Sequence, residues 1–379
     1  MLTQVQLVAL HRSHRGERVL SAYVDGTAAN PAEQRAWRVQ VDRGLKDVRS
    51  WLEGSAHAER EEFERCARML EAELDGFDPS VGAPGWAGFI TSDGVIDAQR
   101  VPVPMPTLIT WSTGPCIAPY VRALKEEQAA VIVLTDARRA ELHRYRHGRF
   151  DRVETIRAHH AVGRPTHMGD APRRGFHTGT RGTAGRDAAQ QSMLEGRDRM
   201  LVEAAERATD LAGPDGWILI AGIPRVVARL DEILSATVPD RVGRVSELDI
   251  HASDAAISEA ARTGATSLRQ ARDLRVVSEI VDRSEAGGLG AVGASATQRA
   301  LGNESVFELV VTRRYLEDHA PEAEDAVRAA FDQRAAVEEV SGPAADLLDR
   351  FGGIGAMLRF HAEAAAEPEL TGAQPSSTA

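Results

Sequence analysis

Residues 157–186 carry six arginines (Arg157, Arg164, Arg173, Arg174, Arg181 and Arg186), four histidines and a single acid, Asp170. Glycines at 163, 169, 175, 179, 182 and 185 break regular structure and let backbone amides come close to a phosphate or an ester. A long connection of this kind between regular elements is functional or unstructured. Its chemistry is phosphate recognition; the alternative is a solvated surface loop with incidental arginines.

Other constellations are weaker. Gly288-Leu-Gly290-Ala-Val-Gly293 satisfies GxGxxG, but it follows the helical pattern LRVVSEIVDRSEA instead of a strand, so no dinucleotide cofactor is expected. Gly352-Gly353-Ile354-Gly355 reads as a helix C-cap and tight turn. His143, His147, His159, His160, His167 and His177 lack a metal-ligand spacing, and no metal site is expected. Asp136 and Glu141, at the end of one strand and the start of the next, could serve a two-metal ribonuclease; a capped turn is the simpler role. There is no GxSxG, and Cys66 and Cys116 offer neither a nucleophile context nor a CxxC pair.

The elements that would position these groups follow from periodicity. VLSAYVD (19–25) alternates like a half-buried strand. Residues 32–75 form a helical hairpin with Trp37, Val41, Leu45, Val48 and Leu52 on one helix and Phe63, Ala67, Leu70 and Leu74 on the other. WAGFITSDGVIDAQRVPVP contains a hairpin turning at Ser92-Asp93-Gly94. AAVIVLTD (129–136) is a buried strand, followed by a meander over 140–145 and 150–156 with a His147-Gly148 turn. A helix runs from Asp187 to about Leu211, with Leu194, Leu201, Ala204, Ala205, Ala208 and Leu211 on its inner face. Strands follow at 217–222, 242–250, 306–312, 335–340 and 354–360, and helices at 224–234, 254–285, from 293 to Leu301, 322–335 and 344–350.

At 379 residues this order makes a mixed α/β protein of three domains: 1–125, 126–250 and 251–362, with a disordered tail over 363–379. The net charge of −11 argues against general attraction to nucleic acid, so any such binding comes from a local patch; DNA is not an expected partner. Lys46 and Lys125 are the only lysines among 45 basic residues, which reads as coding bias toward arginine. The apolar start is broken by His11, Arg12 and His14, so neither a leader nor a membrane span is expected, and the location is cytoplasmic.

VLSAYVD, AAVIVLTDARRAELHRYRHGRFDRVE, RDRMLVEAAERATDL with WILIAGIPRVVARL, and AAVEEVSGPAADLLDRFGGIGAMLRF, in this order and spacing, resemble the archaeo-eukaryotic peptide-release-factor family, which includes Pelota-like rescue and hibernation factors. The resemblance implies a ribonuclease-H-like middle domain, a C-terminal α/β/α sandwich, and a 157–186 loop that enters the peptidyl-transferase centre. Ribosomal RNA and tRNA are then the partners, with a translational GTPase as the delivering one. Arg164, Arg173, Arg174, Arg181 and Arg186 would neutralise rRNA phosphates, and Gly179, Gly182 and Gly185 would permit passage. Releasing members of the family carry Gly-Gly-Gln, absent here; Gln190 and Gln191 are the nearest candidates for orienting a water in peptidyl-tRNA hydrolysis. The Asn-Ile-Lys-Ser element of stop-codon reading is also absent. The alternative is a non-ribosomal RNA-binding or stress-associated protein of the same architecture.

Overall fold

A computed structural model describes residues 1–27, 36–79, 83–126, 128–146, 149–159, 181–246 and 248–360. Thr3 opens helix α1 (Gln4–His14) with a capping box, its hydroxyl accepting from the Gln6 amide at 3.3 Å while the Gln6 side chain accepts from the Thr3 amide at 2.9 Å. Strand β1 (Arg18–Asp25), helices α2 (Ala36–Trp51) and α3 (His57–Asp75), and strands β2 (Gly85–Thr91), β3 (Gly94–Val101) and β4 (Leu108–Thr113) follow. The strands form an antiparallel sheet in the order β3-β2-β1-β4. Strand β1 is buried on both faces, not half-buried: Leu20, Ala22 and Val24 face α2 and α3, while Val19 and Tyr23 face a second core. Alternation is lost because both faces are covered. Strand β4 was not anticipated.

Helix α4 (Ala118–Glu126) leads into the middle sheet: β5 (Ala130–Thr135), β6 (Arg139–Arg146), β7 (Arg149–Arg157), α5 (Arg181–Ala212), β8 (Trp217–Gly222), α6 (Pro224–Ser235) and β9 (Val242–Arg244). The order is β7-β6-β5-β8-β9. The first three strands run antiparallel and β5, β8 and β9 run parallel, the ribonuclease-H-like arrangement. Helices α5 and α6 cover one face. Strand β9 ends at Arg244, well short of residue 250, and the expected His147-Gly148 turn lies outside the described residues.

Helix α7 (Asp254–Glu285) is one continuous 32-residue helix capped by Ser253. After it come β10 (Gly290–Val292), α8 (Ala294–Gly302), β11 (Val306–Thr312), α9 (Arg313–Asp318), α10 (Ala320–Asp332), β12 (Ala336–Val340), α11 (Pro343–Asp349) and β13 (Ile354–Leu358). These strands form a sheet in the order β10-β13-β11-β12. Helices α7 and α11 lie on one face, α8 and α10 on the other, which makes the α/β/α sandwich. The GxGxxG run is strand β10 plus the N-cap of α8, where Gly293 has φ 82°. Gly352 (φ 95°) and Gly353 (φ 77°) supply the tight turn after α11.

Two joints hold the three sheets together. One apolar core runs from the N-terminal sheet through α1 and α4 into the C-terminal sheet, with Leu7, Tyr23, Phe89 and Tyr120 in the same cluster as Leu309, Val327 and Phe331. On its rim, Glu324 of α10 accepts from the Ile117 and Ala118 amides at 2.9 Å each, which neutralises the start of α4. The second joint is α7 itself. Ile257 and Ala261 belong to the core of the middle sheet, while Val277, Ile280 and Val281 belong to that of the C-terminal sheet. Beside it, the buried Lys125 of α4 donates to Asp273 of α7 at 2.6 Å and to the Glu339 carbonyl of β12 at 2.7 Å.

Candidate functional site

The basic segment leaves from β7 and returns through α5. Its base is rigid. Asp136 caps the β5–β6 turn, its carboxylate accepting from the Arg138 and Arg139 amides at 2.6 and 2.9 Å, and the Ala158 amide then donates to the Arg138 carbonyl at 2.8 Å. Helix α5 lies across the sheet through Met200, Leu201, Ala204, Ala205 and Ala208, all buried, and Arg207 reaches Glu154 of β7 at 3.1 Å. Leu194 does not join this face; it is exposed, because the sheet ends before that turn of the helix.

Helix α5 starts at Arg181, six residues before the expected Asp187. Arg181, Gly182, Gly185 and Arg186 therefore lie in helix, not in loop. Each glycine costs about 1 kcal/mol against alanine, but extension of an anchored helix adds one hydrogen bond per residue, and Ala184, Ala188 and Ala189 favour it. Passage through positive φ is thus not what Gly182 and Gly185 provide. Arg164, Arg173, Arg174 and Gly179 lie outside the described residues, as do His147, His160, His167, His177 and the tail 363–379. Gln190 and Gln191 are exposed on the body of α5, and Gln191 donates to Glu195 at 3.1 Å. Their backbone amides point along a helix axis, committed to helical hydrogen bonds, so they offer no oxyanion-type donors.

The Asp136–Glu141 pair is separated by charge. Arg139 lies 3.9 Å from Asp136 and 3.4 Å from Glu141, and Arg152 reaches Glu141 at 2.8 Å. A metal there would have to displace both guanidiniums. His143, 3.8 Å from Glu141, is stacked on Phe150 with ring centroids 5.2 Å apart, and burial pushes its pKa down, keeping the ring neutral. Among the described residues no three His, Cys, Asp or Glu side chains come together as metal ligands.

What the base of the segment does present is positive charge. Arg157 sits directly opposite Arg139 in the β6–β7 ladder, while the Arg146/Arg149 pair lies at the other end of the ladder, away from the segment. Like charges facing each other across a ladder are unfavourable; here Asp136 and Glu141 lie beside Arg139, and Arg157 stands exposed at the foot of the segment. Sequence periodicity did not reveal this, because the β7 register shifts at Leu142/His143 and the pairing depends on that bulge.

Residues 115–266, which hold the middle sheet, the basic segment and the first half of α7, match the family described as bacterial archaeo-eukaryotic release factor family 10. That match takes in well under half of the chain, and it places the likeness on the middle sheet and the connection that the sheet carries. No curated protein matches it. Among solved structures, Pelota of Archaeoglobus fulgidus shares 15% identity over 63% of this chain and 67% of that one, with a TM-score of 0.32. Archaeal Pelota from a model of the ribosome-bound protein with ABCE1 shares 17% over 74% and 78%, at 0.41. Dom34 of S. cerevisiae, a translation termination-like factor that interacts with Hbs1, shares 10% over 63% and 65%, at 0.44. The matched segment contains β7 and α5, the elements that carry the basic connection. Among the described residues no helix is long and apolar enough to cross a membrane.

Proposed function

We propose that this protein binds the ribosome in the cytoplasm and acts in rescue or hibernation, directing the 157–186 segment toward the peptidyl-transferase centre. The supporting observation is the family match over 115–266, which contains that segment together with the strand and helix that hold its ends. In this reading rRNA and tRNA are the contacts, a translational GTPase delivers the factor, and the three sheets act as units bounded near residues 126 and 251. Arg164, Arg173 and Arg174 meet phosphates deep in the subunit. Arg181 and Arg186 belong to the same run of cations in the sequence, and Arg157 continues it to the sheet.

Ribosome co-sedimentation across a salt series tests this reading. Replacing Arg173, Arg174, Arg181 and Arg186 by Ala should flatten the dependence of log affinity on log salt by about one unit per lost phosphate contact. Unaltered binding of the quadruple variant sinks the proposal. Salt-sensitive binding to free RNA but not to ribosomes would favour the non-ribosomal alternative.

We infer further that the protein occupies the site without cutting. The Gly-Gly-Gln arrangement is absent, and Gln190 and Gln191 are locked in a helix. Release of labelled peptide from stalled ribosomes should stay near the spontaneous rate, and Gln190→Ala with Gln191→Ala should change neither release nor binding. Robust release that disappears in the double variant would return the glutamines to a catalytic role.

A further inference from the structure

Where the three sheets meet, a cleft of about 410 Å³ opens between the start of α1, the end of α4, β6, the α5–β8 turn, the middle of α7 and β12. Small-molecule sites have volumes of this order. Four cationic side chains line it, Lys125, Arg144, Arg146 and Arg272, against two carboxylates, Asp215 and Glu338. Some of that charge is already used. Lys125 is held by Asp273, and Arg272 donates to Glu338 at 2.8 Å. These pairs neutralise the C-terminal wall of the cleft.

Arg144 is different. It stands half-buried on β6, opposite Val131 of β5, and makes no hydrogen bond or ion pair within the described residues. A partly desolvated guanidinium without an acceptor is costly, and its planar fork matches a phosphate. Arg146 lines the cleft two residues further along the same strand. Gln128 is beside them: its Oε1 accepts from Trp217 Nε1 at 3.0 Å, which leaves its amide nitrogen as a donor. The remaining lining is apolar, with Val121 and Leu124 from α4, Leu211 from α5 and Val337 from β12. A cationic corner facing an aliphatic wall suits a ligand with one anionic end and one flat, weakly polar end.

We propose that this cleft binds a nucleoside phosphate, with the phosphate on Arg144 and the base against the Leu124 and Leu211 side. The same chemistry is offered by a free mononucleotide and by one nucleotide of an RNA strand. Because the cleft is walled by β6 of the middle sheet, β12 of the C-terminal sheet and the helices α1 and α4, an occupant would tie the orientations of these elements together. None of the described residues of the 157–186 segment lines the cleft, and the binding test below uses the free protein, so its outcome is read separately from ribosome binding.

Fluorescence anisotropy of N-methylanthraniloyl-labelled AMP, titrated with the full chain, tests the proposal, with unlabelled AMP, inorganic phosphate and a single-stranded hexaribonucleotide as competitors. Saturable binding is expected, with AMP competing at least about tenfold better than inorganic phosphate, since the wall contributes only to the nucleoside. Arg144→Gln should weaken binding about tenfold with an unchanged melting temperature, and Arg144→Lys should fall between. Arg144 has no hydrogen-bond or ion-pair partner among the described residues, so these variants keep the fold. A hexaribonucleotide that competes far better than AMP assigns the site to RNA; the reverse order assigns it to a free nucleotide. Absence of saturable binding by either ligand at millimolar concentration, or equal binding by Arg144→Gln, overturns the proposal.

Discussion

Lys125→Met should lower the free energy of unfolding by about 3–5 kcal/mol, the range for removing one partner of a buried ion pair. Asp273 has a side-chain exposure of 1%, and Lys125 is its cationic partner at 2.6 Å. Burial already pushes the Asp273 carboxyl above its usual range even with the ammonium present. Without Lys125 the choice is an uncompensated charge or a neutral acid that no longer ties α7 to α4 and β12. Chemical denaturation at neutral pH measures the loss. The double variant Lys125→Met/Asp273→Leu should recover most of it, because two apolar groups leave no orphaned charge. A single-variant loss below about 1 kcal/mol would mean the network is solvated and the joint lies elsewhere.

Gly222→Ala should cost about 3 kcal/mol or more. At φ 126° an L-residue is strained, and an added Cβ would overlap the Thr135 carbonyl oxygen across the parallel β5–β8 pair. Gly213→Ala is the matching control. Its φ is 70° and nothing lies within 4 Å, so only the left-handed backbone penalty applies, about 1 kcal/mol. Urea midpoints for the two variants separate clash from conformation; equal losses would show that close approach at Gly222 contributes nothing. The contrast bears on function because β5 and β8 end beside the turn from which the basic segment departs.

Much of this fold was legible because its strongest signals are local. AAVIVLTD and WILIAG are apolar runs bounded by turn residues, and they appear as β5 and β8 almost residue for residue. The α2–α3 hairpin followed from three- and four-residue spacing. LITWST escaped notice because its alternating polar positions, directly after Pro106, look like a loop until the β1 register supplies partners. The start of α5 was misplaced because glycine spacing was weighed above helix extension. The cleft was invisible for a different reason: Lys125, Arg144 and Arg272 come from α4, β6 and α7, and only tertiary folding brings them to one wall. Lys125, read as one residue of a coding bias, is instead a compact ammonium between two helices and a strand, where a forked guanidinium would need more room.

Helix α7 behaves mechanically as a strut. Its 32 residues span about 48 Å, and each half is embedded in a different core. A loop between the middle and C-terminal sheets would let them rotate freely about a hinge. Here any change in their relative orientation must bend the helix or peel one half of it from its core. The distance and angle between the C-terminal sheet and the middle sheet, from whose strand β7 the basic segment departs, are therefore set when the chain folds, like a fixed-length gauge without any moving part.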